Sequence, residues 1–247
     1  MLFTEDHIGF LFPTTYGTST ETISSWGFII HGGIDGQSRL CVFLKCGTSN
    51  KSQVVMEHFM EAVDTYGCPL RVRSDYGTEN VEVARYMIET RGPNRGSFPT
   101  DKSTHNQRIE RLWRDVRECV TSIFSDIFHF MEDEGIANRY DELHILAMHY
   151  VFCPRINRAL EEFREQWNNH PMRTSQNRSA SMLWYEGMLR NPTLVYDGPV
   201  EFNDSDEPVP NITTNNNVQV HELSLQLTPD IIEILNNQTD PLVEDEC

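Results

Sequence analysis

From Ile109 to Ile127 apolar side chains return at steps of three and four: Ile109, Leu112, Trp113, Val116, Val120, Ile123, Phe124 and Ile127. This spacing, kept up over about five turns from Ser103 onward, predicts one long amphipathic helix. A stripe of that length has to be covered by something large, so the rest of the chain must supply a sheet or several helices to pack against it.

The upstream sequence supplies both. WGFIIHG (26–32) and RLCVFLKC (39–46) are apolar, β-rich runs separated by GIDGQS, whose Asp35 and Gly36 give a hairpin signal. Val54, Val55, Phe59, Ala62 and Val63 then fall at helical spacing, with Ser52 as expected N-cap and Gly67 as expected C-cap. CPLRVRSD alternates like a short strand (Leu70, Val72) and breaks at DYG. A second helix is expected over 80–92, and two more over 142–153 and 155–169, divided by Pro154. A further helix is expected over 179–189. Strand, strand, helix, strand followed by helices is the order of a mixed α/β domain.

The 247 residues suit one domain with extensions. No apolar run approaches the length of a membrane span, and MLFTEDHIGF lacks the basic flank and apolar stretch of a signal peptide, so an intracellular protein is expected. The six cysteines show no paired spacing and read as scattered reduced thiols, and His144 and His149 read as core or solvated histidines rather than a ligand pair. The net charge of −17 is unevenly spread. All 20 Lys and Arg lie between Arg39 and Arg190 in a nearly neutral body, whereas residues 191–247 hold twelve acidic side chains and no basic one. That tail is expected to be largely disordered, with PDIIEILNNQ (229–238) either a transient helix or a partner-docking segment. The implied division is an atypical segment 1–25, a core 26–190 and an acidic tail 191–247.

Asp75 follows the short strand, and strand ends in such domains are where ligands and metals collect. A hard divalent cation needs carboxylate oxygens, which directs attention to a second carboxylate. Glu110 is the candidate. Asn106, Gln107, Glu110, Arg114 and Arg117 share a stripe of the long helix beside its apolar face. Arginines there suit phosphates, amides suit backbone or base edges, and the carboxylate suits a metal. A solvated face with a Glu110–Arg114 ion pair is the structural alternative.

SDYGTEN and HNQRIERLWRD, with thirty-four residues between Asp75 and Glu110, resemble the second and third carboxylate blocks of the DDE triad of retroviral-type integrases. IIHGGIDGQSRL, VRSDYGTENVEVA, HNQRIERLWRDV, YVFCPRINRAL and WNNHPMRTSQNRSASMLW together resemble the integrase core domain proteins of animal genomes, which are transposon relatives. The resemblance spans residues 26–190 and implies a ribonuclease H-like fold, a five-strand mixed sheet with helices on both faces. It also implies Mg²⁺ or Mn²⁺ at Asp75 and Glu110, DNA as substrate and partner, phosphodiester strand transfer without a covalent enzyme intermediate, a homo-oligomer, and a nuclear location for a DNA-acting protein.

Placing Trp26 in the family register puts Thr18 where the first aspartate of the triad belongs. A threonine hydroxyl brings neither the charge nor the second oxygen of a bridging carboxylate. Asp6 would need Thr14–Ser25 looped out, and Asp35 reads as a turn-capping residue. The first strand is therefore expected to be missing or replaced. An impaired recombinase and a catalytically inactive binding module, for DNA or for a protein partner of the acidic tail, are the two functions left open.

Overall fold

The structure is a computed structural model that describes residues 9–12, 23–74, 78–92, 97–98, 107–190, 229–238 and 241–242. Its sheet has the order β3-β2-β1-β4, formed by β1 (Gly9–Phe12), β2 (Ile29–Asp35), β3 (Cys41–Gly47) and β4 (Arg71–Ser74). β2 pairs antiparallel with β3 and with β1, and β1 pairs parallel with β4. The sheet is therefore mixed, as expected. A fifth segment, Ser97–Phe98, lies along the outer side of β4, where the Ser97 carbonyl accepts from the Val72 N–H at 2.9 Å. Among the described residues the sheet has four strands, where five were expected.

Helices cover both faces. One face carries α1 (Ser52–Tyr66), α2 (Val81–Arg91) and α6 (Ala180–Arg190), whose Phe59, Met87 and Trp184 share a core with Val42, Phe43 and Val72. The other carries α3 (Gln107–Val116), a π-helical turn (Arg117–Thr121), α4 (Ser122–Asp133) and α5 (Glu142–Asn169) over Trp26, Phe28, Ile30 and Leu44. Consecutive Val42 and Phe43 reach the same core because β3 bulges there: Gly33 pairs with Phe43, while Ile34 pairs with Cys41.

The hairpin forms where the Asp-Gly signal placed it. Asp35 closes β2, and its Oδ2 accepts from the N–H groups of Gln37 (3.1 Å) and Ser38 (2.6 Å) and from the Ser38 hydroxyl. That is the capping role read from the sequence. Arg39 completes the turn at φ 66. Helix α1 begins at Ser52, but Lys51 is the N-cap and no side chain caps it, while Gly67 ends it at φ 86 as expected.

Three expectations need correction. The long helix 107–133 is interrupted by the π turn, in which the Ser122 N–H bonds back to the Arg117 carbonyl. An extra residue rotates everything after it, so Val116, Val120, Phe124 and Phe128 form the buried line. Ile123 and Ile127, expected in the core, are instead 56% and 36% exposed.

The second correction concerns Pro154, which does not divide α5: the helix runs unbroken for 28 residues. A helix-interior proline costs about 3 kcal/mol, and α5 offsets it by lying along the open edge of β3. Asn157 accepts from the Cys46 N–H (2.9 Å) and donates to the Cys46 carbonyl (2.9 Å). Asn168 does the same at Cys41, at 2.8 and 3.0 Å. The two amides sit eleven residues apart, three turns along one helix face. Each imitates a neighbouring strand's N–H and C=O pair, which satisfies an edge that would otherwise stay unpaired.

The third concerns the first strand, which is present. Residues 9–12, GFLF, occupy the place between β2 and β4, and the segment around Thr18 lies outside the described residues. A four-residue run is too short to stand out from loop by periodicity. In the tail, residues 191–228 lie outside the described residues, but the segment 229–238 forms helix α7 (Pro229–Gln238) against α5. Tyr150 Oη donates to Asn236 Oδ1 at 2.9 Å, and Arg155 Nε to the Pro241 carbonyl at 2.7 Å.

Buried histidines are structural. His149 Nε2 bonds the Trp26 carbonyl at 2.7 Å, and His144 Nδ1 accepts from the Asn138 N–H. His31, on β2, bonds the Ser49 carbonyl and faces His58 of α1. Burial lowers its pKa from 6.5 to about 4, with the His58 charge adding to the effect. The unfolded chain therefore takes up this proton near pH 6.5 and the folded chain only near pH 4. Stability contributed by neutral His31 is complete above pH 6.5 and is lost as pH falls through that window, to the extent of about 3 kcal/mol. Urea unfolding at pH 7 and pH 5 is expected to show about 2 kcal/mol of this loss, the rest falling below pH 5, and His31→Gln to reduce it. An unchanged pH dependence in that variant would exclude His31 as the source.

Candidate active site and nucleic-acid face

The site is built at the end of β4. The Arg91 side chain, from the last turn of α2, donates to the carbonyls of Cys68 (2.6 Å) and Pro69 (3.2 Å), fixing the loop from which β4 starts. β4 then runs parallel to β1 in the register Gly9–Arg71, Phe10–Val72, Leu11–Arg73 and Phe12–Ser74. Asp75 is the next residue after Ser74 and lies outside the described residues. The chain re-enters as a 3₁₀ turn, Thr78–Asn80, against α1, with Glu79 and Asn80 both buried and Asn80 Nδ2 donating to Glu79 Oε1 at 3.2 Å. Sequence reading quoted these two residues within the motif without giving either a role; a buried carboxylate beside an amide was not legible from a polar run.

The facing element is α3. Ile109, Leu112, Trp113 and Val116 bury its apolar face as expected. Its close seating depends on Gly32 of β2: a Cβ there would meet Leu44 Cδ1 at 2.9 Å and the Trp113 ring at 3.2 Å. The glycine lets the indole lie on the strand and so sets the height of α3 over the sheet. Glu110, in the first turn of α3, is exposed.

Around it the expected stripe is partly described. Asn106 lies outside the described residues, and Gln107 opens α3, although its side chain is outside them too. Arg114 is exposed and pairs with Asp115 at 3.7 Å rather than with Glu110, while Arg111 reaches the same carboxylate at 3.6 Å. These exposed pairs contribute little to stability and leave the guanidiniums available to an anion. Arg117 begins the π turn, and its Nε is buried without a hydrogen-bond partner among the described residues. Arg111, which is not part of the expected stripe, adds an exposed basic group to this helix.

Gly9, Phe10, Leu11 and Phe12, which β1 lays beside β4, include no carboxylate, so among the described residues that strand adds no oxygen ligand to Asp75 and Glu110. Among the described residues, no three of His, Cys, Asp and Glu come together as a metal site. Also among the described residues, no helix is long and apolar enough to cross a membrane.

Comparison with known proteins places this arrangement. No curated protein matches the chain. Two solved structures of the HTLV-2 integrase catalytic core domain in complex with magnesium align with it. The trimeric form does so at 14% identity, over 72% of this chain and 95% of its own, with a TM-score of 0.46. The dimeric form gives 13% identity, 73% and 97% coverage, and a TM-score of 0.45. The family model described as "Integrase core domain" matches residues 18–195, which takes in every described element from β2 to α6. By that match the chain belongs to the integrase core domain family.

Proposed function

We propose that this chain is an integrase-derived, nucleic-acid-binding core whose metal-dependent strand-transfer chemistry is impaired. The observation that carries this reading is the register of β1: the strand beside β4 brings GFLF, and no carboxylate, to the place where a bridging ligand is needed. Asp75 and Glu110 are two carboxylates, enough to hold one Mg²⁺ or Mn²⁺ with waters. Without the third they cannot form the paired-ion site that activates a nucleophile and stabilises a leaving oxygen at once.

Arg111, Arg114 and Arg117, with Asn106 and Gln107, are the groups we assign to DNA phosphates and base edges. The acidic tail opposes this face and weakens the grip. Its helix α7 is held on α5 but leaves Ile231, Ile232 and Ile234 exposed, which suits a protein partner. The exposed Ile123, Ile127 and Phe130 of α4 similarly suit a second copy of the chain. A protein working on DNA would act in the nucleus.

Two measurements on the full chain test the binding reading. Mn²⁺ affinity is expected to fall roughly tenfold or more when Asp75→Asn and Glu110→Gln are combined. DNA affinity is expected to fall steeply with salt, and less steeply after Arg114→Gln. Unchanged Mn²⁺ binding in the double variant would remove the metal site from the account. Strand joining or nicking by the native chain would favour an active recombinase over a binding module.

A further inference from the structure

Apart from the candidate active site, the strongest concentration of reactive groups is where β3 meets α5. Cys46, near the end of β3, is buried, and Cys153, the residue before Pro154, is half-buried. The Cys153 thiol donates to the Cys46 carbonyl at 3.5 Å, and it packs against the core cluster that contains Cys46. One amide holds both residues: Asn157 bonds the Cys46 N–H and carbonyl, the Cys153 carbonyl at 3.0 Å, and Cys153 Sγ at 3.6 Å. The thiols of Cys41 and Cys68 donate to the carbonyls of Phe43 and Pro69, and Cys119 is exposed.

The two sulfurs are unequal. The neighbouring Cys46 thiol and the Asn157 amide, which donates to its sulfur, hold the Cys153 thiol below the ordinary value, although burial opposes them. Cys46 is pushed well above its ordinary value by the same thiol contact and by burial. One partner is thus the better nucleophile, and the other keeps its proton.

We propose that Cys46 and Cys153 are a modification site, a thiol pair that hydroperoxides oxidise to a disulfide joining β3 to α5. The Cys153 thiolate attacks the terminal peroxide oxygen. The O–O bond breaks, the leaving oxygen takes a proton, and Cys153 becomes a sulfenic acid. Cys46 sulfur then attacks Cys153 sulfur, the S–O bond breaks, and water leaves with the Cys46 proton. The two thiols together lose two hydrogens and two electrons, and hydrogen peroxide is reduced to two waters.

The test uses the full native chain with hydrogen peroxide near neutral pH, followed by intact mass and a non-reducing peptide map. The expected result is a mass loss of two hydrogens, a linked peptide containing Cys46 and Cys153, and reversal by dithiothreitol. Cys153→Ser should abolish the linked peptide, and Cys46→Ser should leave a Cys153 sulfenic acid that dimedone captures. The same oxidation in urea should scatter over all cysteines, because the pairing belongs to the fold. A native map in which Cys153 goes to sulfinic acid unlinked, or in which cross-links run only through Cys119, would overturn the proposal without recourse to any variant.

Discussion

Asn168→Ala is expected to destabilise the fold by about 3 kcal/mol, since it leaves the buried N–H and carbonyl of Cys41 without partners on the sheet edge. Asn157→Ala should cost about 2–3 kcal/mol by the same mechanism at Cys46. These are large fractions of a typical domain's stability of roughly 5–15 kcal/mol. The two changes act on one helix, so the double variant is expected to lose more than α5's packing alone can hold, with the weak point at Pro154. Asn169→Ala is the control. Asn169 lies next to Asn168, is exposed, and bonds only the Glu165 carbonyl of its own helix, so its loss should stay within about 0.5 kcal/mol. Urea midpoints separate the two outcomes. If Asn168→Ala unfolds with Asn169→Ala, the edge of β3 is not held by α5.

The second large effect is a gain. The residues that β1 lays beside the last two positions of β4 are Leu11, opposite Arg73, and Phe12, opposite Ser74. A carboxylate at one of them stands in the strand that adjoins the chain just before Asp75. Leu11→Asp or Phe12→Asp is therefore expected to raise Mn²⁺-dependent nicking or strand joining by about a hundredfold over the native chain, in keeping with the usual worth of one electrostatic group in a transition state. The gain should vanish when Glu110→Gln is added. Circular dichroism on each variant distinguishes a carboxylate that fails to act from one that unfolds the strand. Two folded variants without activity would mean that more than one ligand is lacking.

The apolar face of α3, the Asp35 hairpin and the C-cap at Gly67 were all legible in the sequence, because each rests on local spacing or on one residue's backbone preference. The features that were not legible depend on distant partners. The π turn changes helical phase by a single residue, and only the packing of Phe124 and Phe128 reveals which side wins. Pro154 reads as a break until Asn157 and Asn168 are seen to anchor to β3 the part of the helix that follows it. β1 is four residues long and is defined by its neighbours β2 and β4 rather than by any pattern of its own. For the site, the sequence named Glu110 and the arginine stripe, whereas the pairing of Arg111 and Arg114 with Asp115 needed coordinates.

The central claim is a core that retains the integrase fold and a nucleic-acid face but lacks one ligand. The most direct measurement incubates the native full chain with labelled duplex DNA and Mn²⁺ at low salt and scores binding and product together. The expected result is salt-sensitive binding with no nicked or joined product, and product from the Leu11→Asp or Phe12→Asp chain. Efficient joining by the native chain, abolished by Glu110→Gln, would contradict it.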